Sequence, residues 1–337
     1  MPEASIRAID CHNHYTPSEV LAHLRSLGDT SPIPIERSED GGERVQLDGR
    51  WFPVQPEQYD NDRRRRDLER MGVTSAVLSP TPWLLAYRLP AQSAAALCRR
   101  TNEAMAAAVA SSKHGAMGIV PLQDPTEAAA VLREAGSSLR LVAIEIGCHV
   151  GDLELDDPSL APFWDAAEEE GMPLYLHPVG SLHRLSRYYL ANLIGVPVDT
   201  TIAGASLIFG GVLAKRPGLR VLLSHGGGAL PYLLGRWDHG FEVRPEGHVH
   251  ISDSPRAYLD QVYFDSVTHD PKSLRFLVEL AGAANVVLGS DYPFDMAERD
   301  PVGGIRAAAL GPDNEQAVLE ANAVRLFRLP DSAGGDC

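Results

Sequence analysis

The chain has 337 residues, 44% hydrophobic and 22% charged, which is the profile of an ordinary globular protein with enough apolar mass for a large core. A formal net charge of −15 argues against nucleic acid as a partner, because phosphate backbones are met by basic faces. Cys11, Cys98, Cys148 and Cys337 show no paired spacing, MPEASIRAID lacks a signal-peptide layout, and no apolar run approaches the roughly 20 residues that span a bilayer, so a cytoplasmic protein without disulfides or membrane contact is expected.

In chain order, short apolar runs alternate with amphipathic or Ala-rich stretches, the pattern of repeated βα units. Eight strands are predicted, at Ile6–Asp10, Val73–Ser79, Ala116–Val120, Leu141–Ile146, Pro173–Leu176, Leu219–Ser224, Gln261–Asp265 and Asn285–Gly289. Eight such units close into a (β/α)8 TIM barrel, here expected over residues 1–330 as one domain with a short tail, 331–337. Residues 28–60 interrupt the alternation with Gly, Pro and charge. Within them, Asp48-Gly49 in GERVQLDGRWFPV predicts a hairpin, and so a small β insertion after the first strand of a slightly distorted barrel. Arg63 to Arg66, offset by Asp62, Asp67 and Glu69, reads as a solvated helix face, and Ser93–Ser111 reads as a structural barrel helix.

The chemistry concentrates where strands end. In AIDCHNHYTP, strand alternation puts Asp10, His12 and His14 on one face, so two imidazoles can approach one ion. His177 follows PLYL, His225 follows VLLS, and Asp291 follows NVVLGS. An isolated HxH is weak, but four histidines and an aspartate at the same end of four barrel strands can converge on one site. His149, Asp265 and His269 also stand at or after strand ends and are secondary pocket candidates. The second HxH, His248 and His250 in RPEGHVHISDSP, lies in a loop and is assigned no metal. The HGGG that begins at His225 lacks the GxSxG elbow that a serine hydrolase needs, and its glycines are read as a close backbone turn around the site.

HxH, His, His and Asp after the first, fifth, sixth and eighth strands resemble the amidohydrolase superfamily. The wording IGCHVGDLELDD, LHP, SHGGGALPYLLGR and LGSDYPF is similar to its amino-carboxymuconate-semialdehyde decarboxylase branch. The resemblance implies that His12, His14, His177 and Asp291 hold one divalent metal, zinc or alternatively manganese. It makes Asp291 catalytic as well, and His225 the base beside the metal-bound water. It also implies a small carboxylic acid as substrate, Phe294 flanking it, and Arg236 reaching the neighbouring subunit's site in a homodimer. The branch carries an arginine directly after a hairpin phenylalanine. Here Phe52 precedes Pro53, and Arg50 is the candidate replacement. The expected activity is non-oxidative decarboxylation of an unsaturated or aromatic acid. The alternatives are a metal-assisted hydrolase or hydratase and, from another class, a non-catalytic ligand-binding barrel.

Overall fold

The eight apolar runs pair in chain order as parallel strands: β1 (Ile9–Asp10), β2 (Ser75–Pro80), β3 (Gly115–Ile119), β4 (Ala143–Gly147), β5 (Leu174–His177), β6 (Val221–Leu223), β7 (Val262–Asp265) and β8 (Val286–Val287). The structure, a computed structural model, describes residues 7–39, 41–47, 50–85, 87–179, 185 and 187–330, apart from the side chains of Leu47 and Arg50. Strand ends differ from the sequence-based expectation by at most three residues. The seam between β8 and β1 is closed by single backbone bonds: Cys11 N–H donates to the Leu288 carbonyl at 2.8 Å, and the Ser290 and Asp291 N–H groups donate to that of His12 at 3.0 and 2.7 Å. This seam draws the first and last site residues together.

Helices follow each strand and cover the barrel. Asp60, Asp124 and Asp270 cap helices Asn61–Arg70, Pro125–Ser137 and Pro271–Ala281 by accepting the N–H of the third helical residue. In the latter two, proline occupies the first helical position, where its missing N–H leaves no bond unmade. Ile9, Val77, Met117, Ala143, Tyr175, Leu222, Tyr263 and Val287 fill the barrel interior, one from each strand, against Leu326, Phe327 and Leu329 of the C-terminal segment. A Cβ at Gly115, where β3 begins, would lie 3.2 Å from Leu329 Cδ2, so the C-terminal segment plugs the end of the barrel where strands start. The opposite end is left for chemistry.

The insertion is a three-stranded antiparallel sheet, Ile35–Arg37, Glu43–Leu47 and Arg50–Val54. The predicted hairpin is present, with Leu47 opposite Arg50, while Asp48 and Gly49 lie outside the described residues. Its third strand, Ile35–Arg37, is too short to reveal an alternation.

Two expectations are corrected. The arginine run is not uniformly solvated: Arg64 is 4% exposed and shares the inner face of its helix with Leu68, since residues four apart stack on one side. The helical stretch Ala191–Phe209, 19 residues, is long and apolar enough to cross a membrane, although Pro197, Asp199 and two threonines interrupt its appearance in the sequence. Only 39% of its apolar window is buried; Ala203, Leu207 and Ile208 are among the residues it turns inward.

Candidate metal centre

His177 ends β5, His225 lies two residues after β6, and Asp291 lies four after β8, all at the same open end of the parallel barrel. His12 and His14 arrive differently from the expectation of simple alternation. The strand is interrupted after Asp10 and resumes at His14–Tyr15; Ile9 and Cys11 fill the interior, and a bend at His12 turns its ring to the barrel axis. Asp10 stays outside the cluster, with Ser290 Oγ donating to it at 2.6 Å.

His12 Nε2 and His14 Nε2 lie 3.2 and 3.1 Å from the same Asp291 oxygen, Oδ1, and His225 Nε2 lies 3.8 Å from Oδ2. The His177 ring is centred 4.7 Å from that of His14 and 5.2 Å from that of His12. One donor atom from each of His12, His14, His177 and Asp291 falls within 4.8 Å of the others, and all four residues are buried. His177 Nδ1 is 3.0 Å from the Pro178 carbonyl, and its buried Nε2 has no hydrogen-bond partner among the described residues. A divalent ion with bonds of about 2.1 Å spaces its ligands by at most about 4.2 Å, so a small contraction of this cage accommodates one. The donor set fits a metal, and the chain therefore carries a His/Asp metal-binding site.

The electrostatics agree. Burial depresses the His12 pKa, but Asp265 and Asp291 outweigh it and raise it to about 10. Burial pushes His14 down to about 4, and burial with the neighbouring imidazoles holds His177 well below its ordinary value. Burial also opposes ionisation of Asp291, yet His12 above all keeps it well below the usual carboxylate range. A divalent ion bound by these residues would supply the positive charge that the two carboxylates favour at this point of the cage.

Asp265 organises the cage rather than lining the pocket. It is fully buried, sits 2.6 Å from His12 Nδ1, and accepts the backbone N–H groups of His225 and Gly226, both at 2.8 Å. One carboxylate thus orients a ligand and anchors the glycine turn. That turn needs glycine: Gly228 has φ +62°, and a Cβ there would collide with the Pro197 carbonyl. Arg64 supports the HxH segment from behind, donating to the His14 carbonyl at 2.8 Å and to Asn13 Oδ1.

A model of the amidohydrolase family matches residues 9–329. The chain belongs to the amidohydrolase family. It is 34% identical over 300 residues to 2-amino-3-carboxymuconate-6-semialdehyde decarboxylase of Dictyostelium discoideum, covering 87% of this chain and 83% of that one. It is 28% identical to 6-methylsalicylic acid decarboxylase of Penicillium expansum over 85% of this chain and 84% of that one. The crystal structure of 5-carboxyvanillate decarboxylase from Sphingomonas paucimobilis superposes with a TM-score of 0.83 at 26% identity, covering 97% of this chain and all of the other.

In this amidohydrolase the remaining candidates separate. Phe294 stacks on His14 with ring centroids 4.6 Å apart. His269 lines a cavity of about 610 Å³ that opens from His225 and Asp291. His149 is not among the residues lining that cavity; its Nδ1 is 2.8 Å from the Gly151 carbonyl in its own loop. Arg236 is exposed on helix Leu230–Val243 and has no ion pair among the described residues: Asp238 is taken by Arg256, and Glu242 stands 3.9 Å from His239. The Arg50 side chain lies outside what is described.

Arg64 was missed as a site residue, although its i,i+4 spacing to Leu68 was a readable signal. Glu145 and Tyr175, register partners on β4 and β5, were missed as well. Both are fully buried, neither Glu145 oxygen nor the Tyr175 hydroxyl has a hydrogen-bond partner among the described residues, and burial raises the Glu145 pKa. A single carboxyl inside an apolar strand has no local signature.

Proposed function

We propose that this amidohydrolase is a zinc-dependent carboxy-lyase that removes CO₂ from an unsaturated or aromatic carboxylic acid. The observation that carries the reading is the buried His/Asp cage opening, through His225, into a cavity walled largely by apolar side chains such as Val196, Val267 and Leu277. The decarboxylase names of the relatives support it. A divalent ion held by His12, His14, His177 and Asp291 supplies a Lewis acid that stabilises negative charge on substrate oxygens. Imidazole and carboxylate donors suit zinc and also accept manganese.

The chain's own residues do the rest. The apolar walls hold the unsaturated carbon skeleton and exclude water, while His225, at the junction of cage and cavity, holds the proton. As the C–C bond to the carboxylate breaks, its electron pair stays on the carbon, CO₂ leaves, and His225 delivers the proton to that carbon. Phe294 keeps its place through the stack on His14 and flanks the substrate. A hydrolase or hydratase would instead add solvent oxygen. The test is headspace CO₂ from a panel of aromatic and unsaturated acids run in ¹⁸O-water. CO₂ release without ¹⁸O in the other product is expected, and labelled product without CO₂ would overturn the reading.

The functional unit in this reading is a cytoplasmic homodimer. Tyr188, Leu193, Ile194 and Tyr232 are 74%, 50%, 46% and 82% exposed, and Leu193 and Tyr232 also line the cavity. A second copy would cover this apolar face, which also accounts for the half-exposed helix Ala191–Phe209 without a membrane. Arg236, free of ion pairs among the described residues, then reaches the partner's substrate, where its fork suits a carboxylate. Mixing inactive His177→Ala and Arg236→Ala chains should restore part of the activity once subunits exchange; exchange without activity would refute a shared site. Cys11, Cys98 and Cys148 are buried free thiols, in keeping with a reducing compartment.

A further inference from the structure

Two ligand-bearing segments meet at the barrel seam: the HxH segment after β1 and the turn after β8 that carries Asp291. Their backbones are joined there, with the His14 N–H donating to the Tyr292 carbonyl at 2.7 Å. Helix Asn61–Arg70 reaches both. Arg64, Asp67 and Leu68 lie on one side of it, being three and four residues apart. Arg64 holds the first segment, donating to the His14 carbonyl at 2.8 Å and to Asn13 Oδ1. Its guanidinium also lies over the ring of Tyr292, 5.1 Å from the centroid, and the Tyr292 hydroxyl donates to Asp67 Oδ2 at 2.9 Å. One helix thus holds Asn13, between His12 and His14, and Tyr292, next to Asp291.

Stability alone does not account for Arg64. It is 4% exposed, and among the described residues no carboxylate pairs with it and its Nε has no hydrogen-bond partner. A buried charge without a counter-ion ordinarily costs stability. Nor does its charge favour a metal, because a cation behind the cage repels a divalent ion. What it supplies is geometry.

We infer that Arg64 is a positioning residue that clamps both sides of the seam, fixing the separation of the His12 and His14 pair from Asp291 and with it the affinity and geometry of the metal centre. The inference rests on the His/Asp cage and is independent of the reaction proposed for it.

The test is Co²⁺ titration of metal-free protein in competition with a chelating dye, with the visible absorption of the Co²⁺ form reading the ligand geometry. Charge and clamp give opposite signs for Arg64→Met. Removing a repelling charge alone would tighten binding, whereas losing the clamp is expected to weaken it about 10- to 100-fold and to alter the spectrum. Tyr292→Phe removes only the hydroxyl bond to Asp67 and should weaken binding about threefold, with a smaller spectral change. Leu68→Ala controls for mere support of the helix: a cavity on the same side lowers the melting temperature, while affinity and spectrum should stay those of wild type. Unchanged or tighter binding in Arg64→Met overturns the clamp, as does a loss that Leu68→Ala reproduces at an equal fall in melting temperature. Wild-type affinity and spectrum in Tyr292→Phe also overturn it, whether or not Arg64→Met folds. CO₂ release is not among these readings, so failure of the decarboxylase reading would leave the clamp standing.

Discussion

The chain contains the same tripeptide pattern twice, His12-Asn13-His14 and His248-Val249-His250, and folding treats the two in opposite ways. His12 and His14 are fully buried at the barrel seam, facing Asp291, with Asp265 behind His12. His248 ends a 3-10 turn, Pro245–His248; it and His250 are exposed, and the His248 ring stacks on Phe241 with centroids 4.0 Å apart. No carboxylate pairs with either of these two among the described residues. Spacing alone therefore does not make a ligand pair. Desolvation, together with carboxylates delivered by other strands, does.

The largest test of that contrast removes the cage. His12→Ala, His177→Ala or Asp291→Ala is expected to abolish turnover and strip the metal, as read by elemental analysis of protein purified without chelator. Full occupancy in all three would erase the distinction between the two motifs. Next in size, His225→Ala should keep most of the metal and lose about 10²–10⁴ in rate, the usual share of general acid–base catalysis. Near-normal turnover there would rule out its proton-transfer role.

Asp265→Asn probes the support that the loop motif lacks. Metal affinity should fall about 10- to 100-fold in competition with a chelating dye, because an amide neither fixes the His12 tautomer nor balances its charge. Unchanged affinity would show that Asp265 serves only the backbone turn. The smallest effect is expected from His250→Ala, which should leave metal content and rate unaltered. Loss of metal in that variant would mean that the exposed motif also binds an ion.

Much of this molecule is written locally. The barrel strands are short apolar runs, several of them closed by a polar residue, and the hairpin is marked by Asp-Gly, so the strand count, the insertion and the ends bearing His177, His225 and Asp291 are legible in the sequence. The interruption after Asp10 is not, because a strand break at a barrel seam leaves no composition signal, and strict alternation would turn His12 away from the axis. Arg64 was read with its three neighbours as one charge run, although a helix can face only some of four consecutive residues outward.

What only the tertiary structure decides is which distant residues meet. Asp265 lies 253 positions from His12, and Arg64 lies 50 from His14. The burial that depresses the His14 and His177 pKa values comes from the whole barrel closing over them. Alternation and turn chemistry are set by a few adjacent residues, so the sequence alone determined the order of the ligands and the end of the barrel they occupy. Distances, protonation and the neighbour behind each imidazole depend on barrel closure and the water it expels, and these belong to the fold as a whole.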